Sequence, residues 1–124
     1  MKYAVLGYDS EGALDSLTAE DKRALHAAHR ALHDDVQARA DSPVRVIVHY
    51  RFRPPRHTTT VCLAGDEVVM NEGPSSETGE ALRALYLLES DDLDAVLNVA
   101  ARLPAVRRGG TVEVWPLIEP GGGR

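Results

Sequence analysis

Residues 53–89, RPPRHTTTVCLAGDEVVMNEGPSSETGEALRALYLLE, decide the fold. Pro54-Pro55 breaks the chain ahead of a Thr-rich run, because proline fixes φ and removes a backbone donor. His57 to Leu63 and Glu67 to Met70 read as the two strands of a hairpin about Ala64-Gly65-Asp66. A Gly73-Pro74 loop follows. Leu82 to Glu89 reads as a further strand, although Glu80 to Arg83 could equally form a helical turn.

Upstream, Val44 to Phe52 alternates. Val44, Val46, Val48, Tyr50 and Phe52 fall on one side, and Arg45, Ile47, His49, Arg51 and Arg53 on the other. Before it, Lys2 to Tyr8 reads as a strand. Thr18 is a good N-cap for a helix running to about Ala40, with Leu25, Ala28, Leu32 and Val36 on one face. Ser42-Pro43 ends it. Downstream, Ser90 is expected to cap a second helix, with Asp91 and Asp92 near the positive end of its dipole. Leu93, Val96, Leu97, Ala100 and Ala101 would form its apolar face, and Pro104 its end. Gly109-Gly110 turns the chain into a last strand, Thr111 to Ile118.

The order is strand, helix, strand, hairpin, strand, helix, strand. It predicts a ferredoxin-like α+β sandwich: an antiparallel sheet, two helices on one face, and an extra hairpin. The other sheet face would carry apolar side chains, including Trp115 and Leu117. Face-to-face homodimerisation is the simplest cover for it.

The bulk numbers agree with one domain, residues 1–119, followed by a frayed tail at 120–124. A chain of 124 residues can bury a core without metal or disulfides. The net charge of −5 argues against direct nucleic-acid binding. The single cysteine, Cys62, cannot pair internally and fits a cytoplasmic location. No apolar run reaches the roughly 20 residues of a membrane helix, and the Met1 end lacks the pattern of a signal peptide. No phosphate-binding glycine loop, nucleophile elbow or zinc spacing is present, so no cofactor is expected.

Together these residues resemble the YCII-related family, in the branch named after an Asp-Gly-Pro-Phe motif. The resemblance covers Met1 to Glu119. It rests on the Met1-Lys2-Tyr3 start, Phe52-Arg53-Pro54-Pro55 before Thr58-Thr59-Thr60-Val61, and the loop Glu72-Gly73-Pro74-Ser75 followed by Glu77-Thr78. Tyr86-Leu87-Leu88-Glu89 and the ending Gly110-Thr111-Val112-Glu113-Val114-Trp115-Pro116 complete it. The signature loop is altered: Glu72 stands for its Asp and Ser75 for its Phe, while Gly79 and Arg83-Ala84 replace a Lys and a Gly-Gly pair. The resemblance implies a dimeric ferredoxin-like fold of the α/β-barrel type, with a cleft. Some members of the family are lyases or isomerases of small molecules; others are fused to, or encoded beside, extracytoplasmic-function sigma factors.

The resemblance also singles out site residues. A histidine thought to be catalytic in the wider family matches His29, which lies about 40° from Leu25 on a helical wheel, at the edge of the apolar stripe. The carboxylate that an Asp-Pro supplies in that family is absent, since Leu103-Pro104 stands there. His29 then reads either as a base or as a border histidine satisfied by water. His26, His29 and His33 lack the ligands to complete a metal site. Arg45, His49, Arg51 and Arg53 form a cationic row on one strand side, which His57 could join. The row suits a carboxylate or phosphate, or else is a solvated edge covering apolar neighbours. Glu72 reads as a catalytic acid or a turn-former, and Tyr86 and Tyr50 as hydrogen-bond donors or core residues. The function expected is binding of a small anionic organic molecule, with cofactor-independent lyase, isomerase or cyclase chemistry. The alternative is a non-enzymatic ligand-binding or regulatory module tied to sigma-factor control.

Overall fold

The computed structural model describes residues 1–10, 12–75 and 79–121; Glu77, Thr78 and the last three residues of the tail lie outside them. The elements are β1 (Lys2–Ser10), α1 (Ala19–Ala38), β2 (Arg45–Arg51), β3 (Thr59–Ala64), β4 (Glu67–Glu72), β5 (Glu80–Glu89), α2 (Leu93–Ala100), α3 (Pro104–Arg107) and β6 (Thr111–Pro116). Four strands form one antiparallel sheet in the order β2-β5-β1-β6, and β3 and β4 form a separate hairpin. This is the ferredoxin-like α+β fold, with the hairpin inserted between its second and third core strands.

Core packing follows from which side chains each element turns inward. Tyr3 and Val5 of β1, Val46 of β2 and Tyr86 and Leu88 of β5 meet Leu32 and Val36 of α1. Val96, Val99 and Ala100 of α2, with Leu103, close the same layer. Both longer helices therefore cover one face of the sheet. The opposite face holds Leu6, Leu85, Leu87, Val48, Tyr50 and Trp115, and no element of the described residues covers it; Tyr50 and Trp115 are more than half exposed. The hairpin is also uncovered on one side: the cross-strand pairs Val61–Met70 and Leu63–Val68 are 58–72% exposed.

Thr18 caps α1 through its hydroxyl, which accepts from the Asp21 N–H at 3.1 Å. The buried stripe of α1 is Leu25, His29, Leu32 and Val36. Ala28, expected in that stripe, is exposed, and His29 takes its place. Both spacings are helical, and the inward position of His29 is fixed by its contact with the buried Tyr86.

The second helix differs from expectation in three respects. Its N-cap is Asp92, whose carboxylate accepts from the Ala95 N–H at 3.2 Å. Ser90 instead donates to the Pro43 carbonyl at 2.5 Å and tethers the β5 end to the β2 entry. Leu93 and Leu97 are exposed, and Val99 joins Val96 and Ala100 inside. Pro104 begins α3 rather than ending α2, consistent with a proline whose missing N–H costs nothing in a first turn.

The largest correction concerns β2. Its pairing with β5 shifts between Val46 and Val48, so Ile47 is an extra residue in the strand. A bulge reverses the phase of alternation beyond it. Val46 opposite Leu88, His49 opposite Tyr86 and Arg51 opposite Ala84 consequently share the helix-covered face. Arg45 faces the other way and pairs with Glu89 at 2.6 Å. The expected single row of Arg45, His49, Arg51 and Arg53 does not form. Gln37 of α1 holds the bulge in place: its amide donates to the Val46 carbonyl at 3.2 Å and accepts the Val46 N–H at 3.0 Å.

Candidate functional site

Along the layer between α1 and the sheet, the apolar core gives way to polar groups beyond Val46. His29 is 6% exposed and Tyr86 fully buried. The His29 Nδ1 lies 2.9 Å from the Tyr86 hydroxyl, and that hydroxyl lies 3.3 Å from the His29 carbonyl. One arrangement satisfies both contacts: Nδ1–H donates to the phenol oxygen, and the phenol proton goes to the carbonyl. That tautomer leaves Nε2 with its lone pair. Burial, reinforced by the positive Arg51, lowers the His29 pKa to about 4. Burial raises the Tyr86 pKa to about 12. Both groups are therefore neutral at physiological pH.

The bulge brings two more rings beside this pair. His49 stacks on Tyr86 with centroids 5.0 Å apart, and His33 approaches His49 at 4.7 Å. Burial, with the nearby His33, holds the His49 pKa below the ordinary range. The Nδ1 of His33 is buried and has no hydrogen-bond partner among the described residues. A cavity of about 490 Å³ opens here, lined by His26, His29, Arg30, His33, Asp34, His49, Tyr50 and Arg51. Cationic and titratable groups dominate its lining, with Asp34 the carboxylate among them.

Beneath it lies a group of long-range ion pairs. Asp9, 6% exposed at the end of β1, accepts from Arg108 at 2.6 Å. Arg83 is the extra residue of β5 where its pairing with β1 shifts; it donates to the Phe52 carbonyl at 3.2 Å and stands 4.0 Å from Asp15. Gly110 lets this end close, because a Cβ there would sit 2.2 Å from the Tyr8 carbonyl oxygen.

Of the residues singled out from the sequence, the structure gathers His29, His49, Tyr86 and Arg51 at one site. Arg53 and His57 line a neighbouring cavity that also includes Arg51. Glu72 is exposed at the end of β4, opposite Thr59, and lines neither cavity. Leu103, where the resemblance implies that a carboxylate is missing, is fully buried in the core. The pairing of His33 with His49 and the Asp9–Arg108 pair have no local sequence signal; recognising the bulge at Ile47 would have found the first. Among the described residues, no group of three or more His, Cys, Asp or Glu is placed to hold a metal ion. Nor is any helix of those residues long and apolar enough to cross a membrane.

The sequence profile of one family, described as YCII-related domain, matches residues 1–119. An uncharacterized protein of Rhizobium meliloti (strain 1021) is 30% identical over 119 residues, covering 94% of this chain and 92% of that protein.

Proposed function

The chain belongs to the YCII-related family, and on that premise we propose that it binds a small organic anion in the cavity of His29, His49 and Arg51 and moves a proton on it without a cofactor. The observation that carries this reading is a buried, neutral His29–Tyr86 pair beside a cavity lined by Arg30 and Arg51. Arg51 is the anion's contact, through its forked N–H donors. His29 is the base. A pKa of about 4 keeps its lone pair available at neutral pH but makes it a weak base. A bound anion offsets part of this, because its charge counters the repulsion from Arg51, the second cause after burial of the lowered His29 pKa. Binding thus strengthens the base at the moment it is used. Loss of a proton next to a carbonyl or carboxylate, stabilised by Arg51, fits the lyase, isomerase or cyclase class.

A non-enzymatic ligand-binding or regulatory module, of the kind tied to sigma-factor control, is the second reading. Two placements favour it: Leu103 offers no carboxylate to His29, and Glu72 shares no cavity with it. Under either reading we propose a cytoplasmic homodimer joined through the open sheet face, since that face and the hairpin's Val61, Leu63, Val68 and Met70 are apolar and uncovered in one copy.

Native mass spectrometry of the purified protein would identify a retained ligand and the mass of the assembly together. Replacing Arg51 and Arg53 by Gln should weaken an anionic ligand at least about tenfold. Unchanged binding would remove the anion reading. His29→Ala separates the two classes, since only an enzyme has turnover to lose while binding stays nearly intact.

A further inference from the structure

A second cavity of about 840 Å³ lies at the exit of β2, and Arg51 lines both it and the histidine cavity. Its volume is within the range of sites for drug-sized ligands. Tyr8, Phe52, Pro54, Pro55 and Leu82 give it apolar walls. Backbone hydrogen bonds fix those walls in advance. The His57 N–H donates to Pro54 at 3.0 Å and the Thr58 N–H to Pro55 at 2.9 Å. The Phe52 N–H donates to the Arg83 carbonyl at 2.9 Å, and the Gly73 N–H closes the hairpin base on the Thr58 carbonyl at 2.7 Å.

The charges of this cavity are unevenly committed. Arg56 is paired with Asp15 at 3.3 Å. Arg51 and Arg53 have no carboxylate partner among the described residues. Glu80 is on the β5 side, 3.5 Å from the Thr111 hydroxyl. The result is a chamber of mixed lining, apolar along Phe52, Pro54, Pro55 and Leu82, with the guanidinium groups of Arg51 and Arg53 uncommitted and Arg51 shared with the histidine cavity. An acid as small as acetate would use Arg51 and leave the chamber to water.

We propose that the ligand is an amphipathic organic acid whose carboxylate sits on Arg51 while its apolar body, of about the size of a phenyl-bearing chain, fills the second cavity. This rests on the reading that the histidine cavity takes an anion. The carboxylate on Arg51 sets the adjacent carbon at the boundary of the two cavities, on the side of the base. Specificity then comes from the chamber's apolar walls, and charge recognition from Arg51.

The test is an amide NMR titration of the full chain with three probes: acetate, 4-phenylbutyrate and the uncharged 4-phenylbutyramide. 4-Phenylbutyrate should bind at least about tenfold more tightly than either of the others. Phe52→Ala should weaken 4-phenylbutyrate about threefold or more and leave acetate unchanged. That side chain is partly exposed, and the backbone bonds of residue 52 do not depend on it, so the fold is retained. Arg51→Gln should weaken both acids. Equal affinity for the two acids, equal affinity for acid and amide, or indifference to Phe52→Ala overturns the two-part ligand. Acetate binding that still responds to Arg51→Gln would then leave the anion reading standing. Acid binding that ignores Arg51→Gln sinks both.

Discussion

The layer between α1 and the sheet has two ends built from the same elements. At one end Leu32, Val36, Tyr3, Val5, Val46 and Leu88 pack as ordinary core. At the other, the same strands and helix supply His29, Asp9, His49, Arg51 and Tyr86. The apolar end is stable whatever the pH, because area removed from water holds it together. The polar end depends on its buried groups finding partners, as His29, Tyr86 and Asp9 do and the Nδ1 of His33 does not among the described residues. It is also where the cavity opens. One layer thus divides its labour lengthwise: one end secures the fold, and the other holds the buried polar groups and the cavity.

The sharpest way to break the contrast is at the apolar end. Leu32→Asp places an unpaired carboxylate where the wild-type side chain is 5% exposed. The cost of several kcal/mol approaches the roughly 5–15 kcal/mol that holds a domain together, so the variant should be unfolded by circular dichroism. A soluble variant with unchanged melting would show that the helix register is wrong. At the polar end, Arg108→Ala leaves Asp9 buried without its main partner and should cost about 3 kcal/mol in urea unfolding. Adding Asp9→Asn should restore part of that loss. If it restores none, the pair contributes packing rather than charge.

A smaller effect comes from pH. His29 has a pKa of about 4 in the folded chain, against an ordinary value of 6.5. As pH falls below 6.5 the unfolded chain takes up the proton first, so stability contributed by neutral His29 is present above that value and lost on the acid side. Between pH 6.5 and 5 the loss should reach about 2 kcal/mol. His49, also held low by burial, acts in the same direction. Asp35 and Glu89, held low by Arg102 and Arg45, act at lower pH, so this window belongs to the histidines. His29→Gln should flatten the slope of stability against pH there. An unchanged slope would place the titration elsewhere.

Much of this division was legible in the sequence, and the reason for the remainder is physical. Element order, the Thr18 cap and the hairpin turn depend on local chemistry, and the ferredoxin-like topology follows from them. His29, His49, Arg51 and Tyr86 stand out by residue type and by family resemblance. Their sharing one face does not. It depends on the extra residue at Ile47, which shows only when β2 is aligned against β5 and held by Gln37. Strict alternation therefore put Arg45 and Arg51 together, and the bulge parts them. Ser90 and Asp92 are both good caps, and the choice between them is made by Pro43, 47 residues away. Asp9 and Arg108 are 99 residues apart, a separation over which sequence pattern carries no information.

The finest test asks what keeps His29 neutral. Burial is the first cause of its lowered pKa and Arg51 the second; Tyr86 supplies a hydrogen bond without charge. Tyr86→Phe removes the hydroxyl and keeps the ring that stacks on His49. The His29 Nδ1 then loses its partner in a buried place, at a cost of about 1 kcal/mol. That loss should be the same at pH 7 and pH 5, because the ring is still buried and still beside Arg51. Arg51→Gln should do the opposite, leaving stability at pH 7 nearly unchanged while making the acid-side slope shallower. The two variants, measured by urea unfolding at both pH values, separate the hydrogen bond from the field. If Tyr86→Phe flattens the slope as well, the phenol rather than burial sets the protonation of His29, and the polar end is governed by one contact instead of by its surroundings.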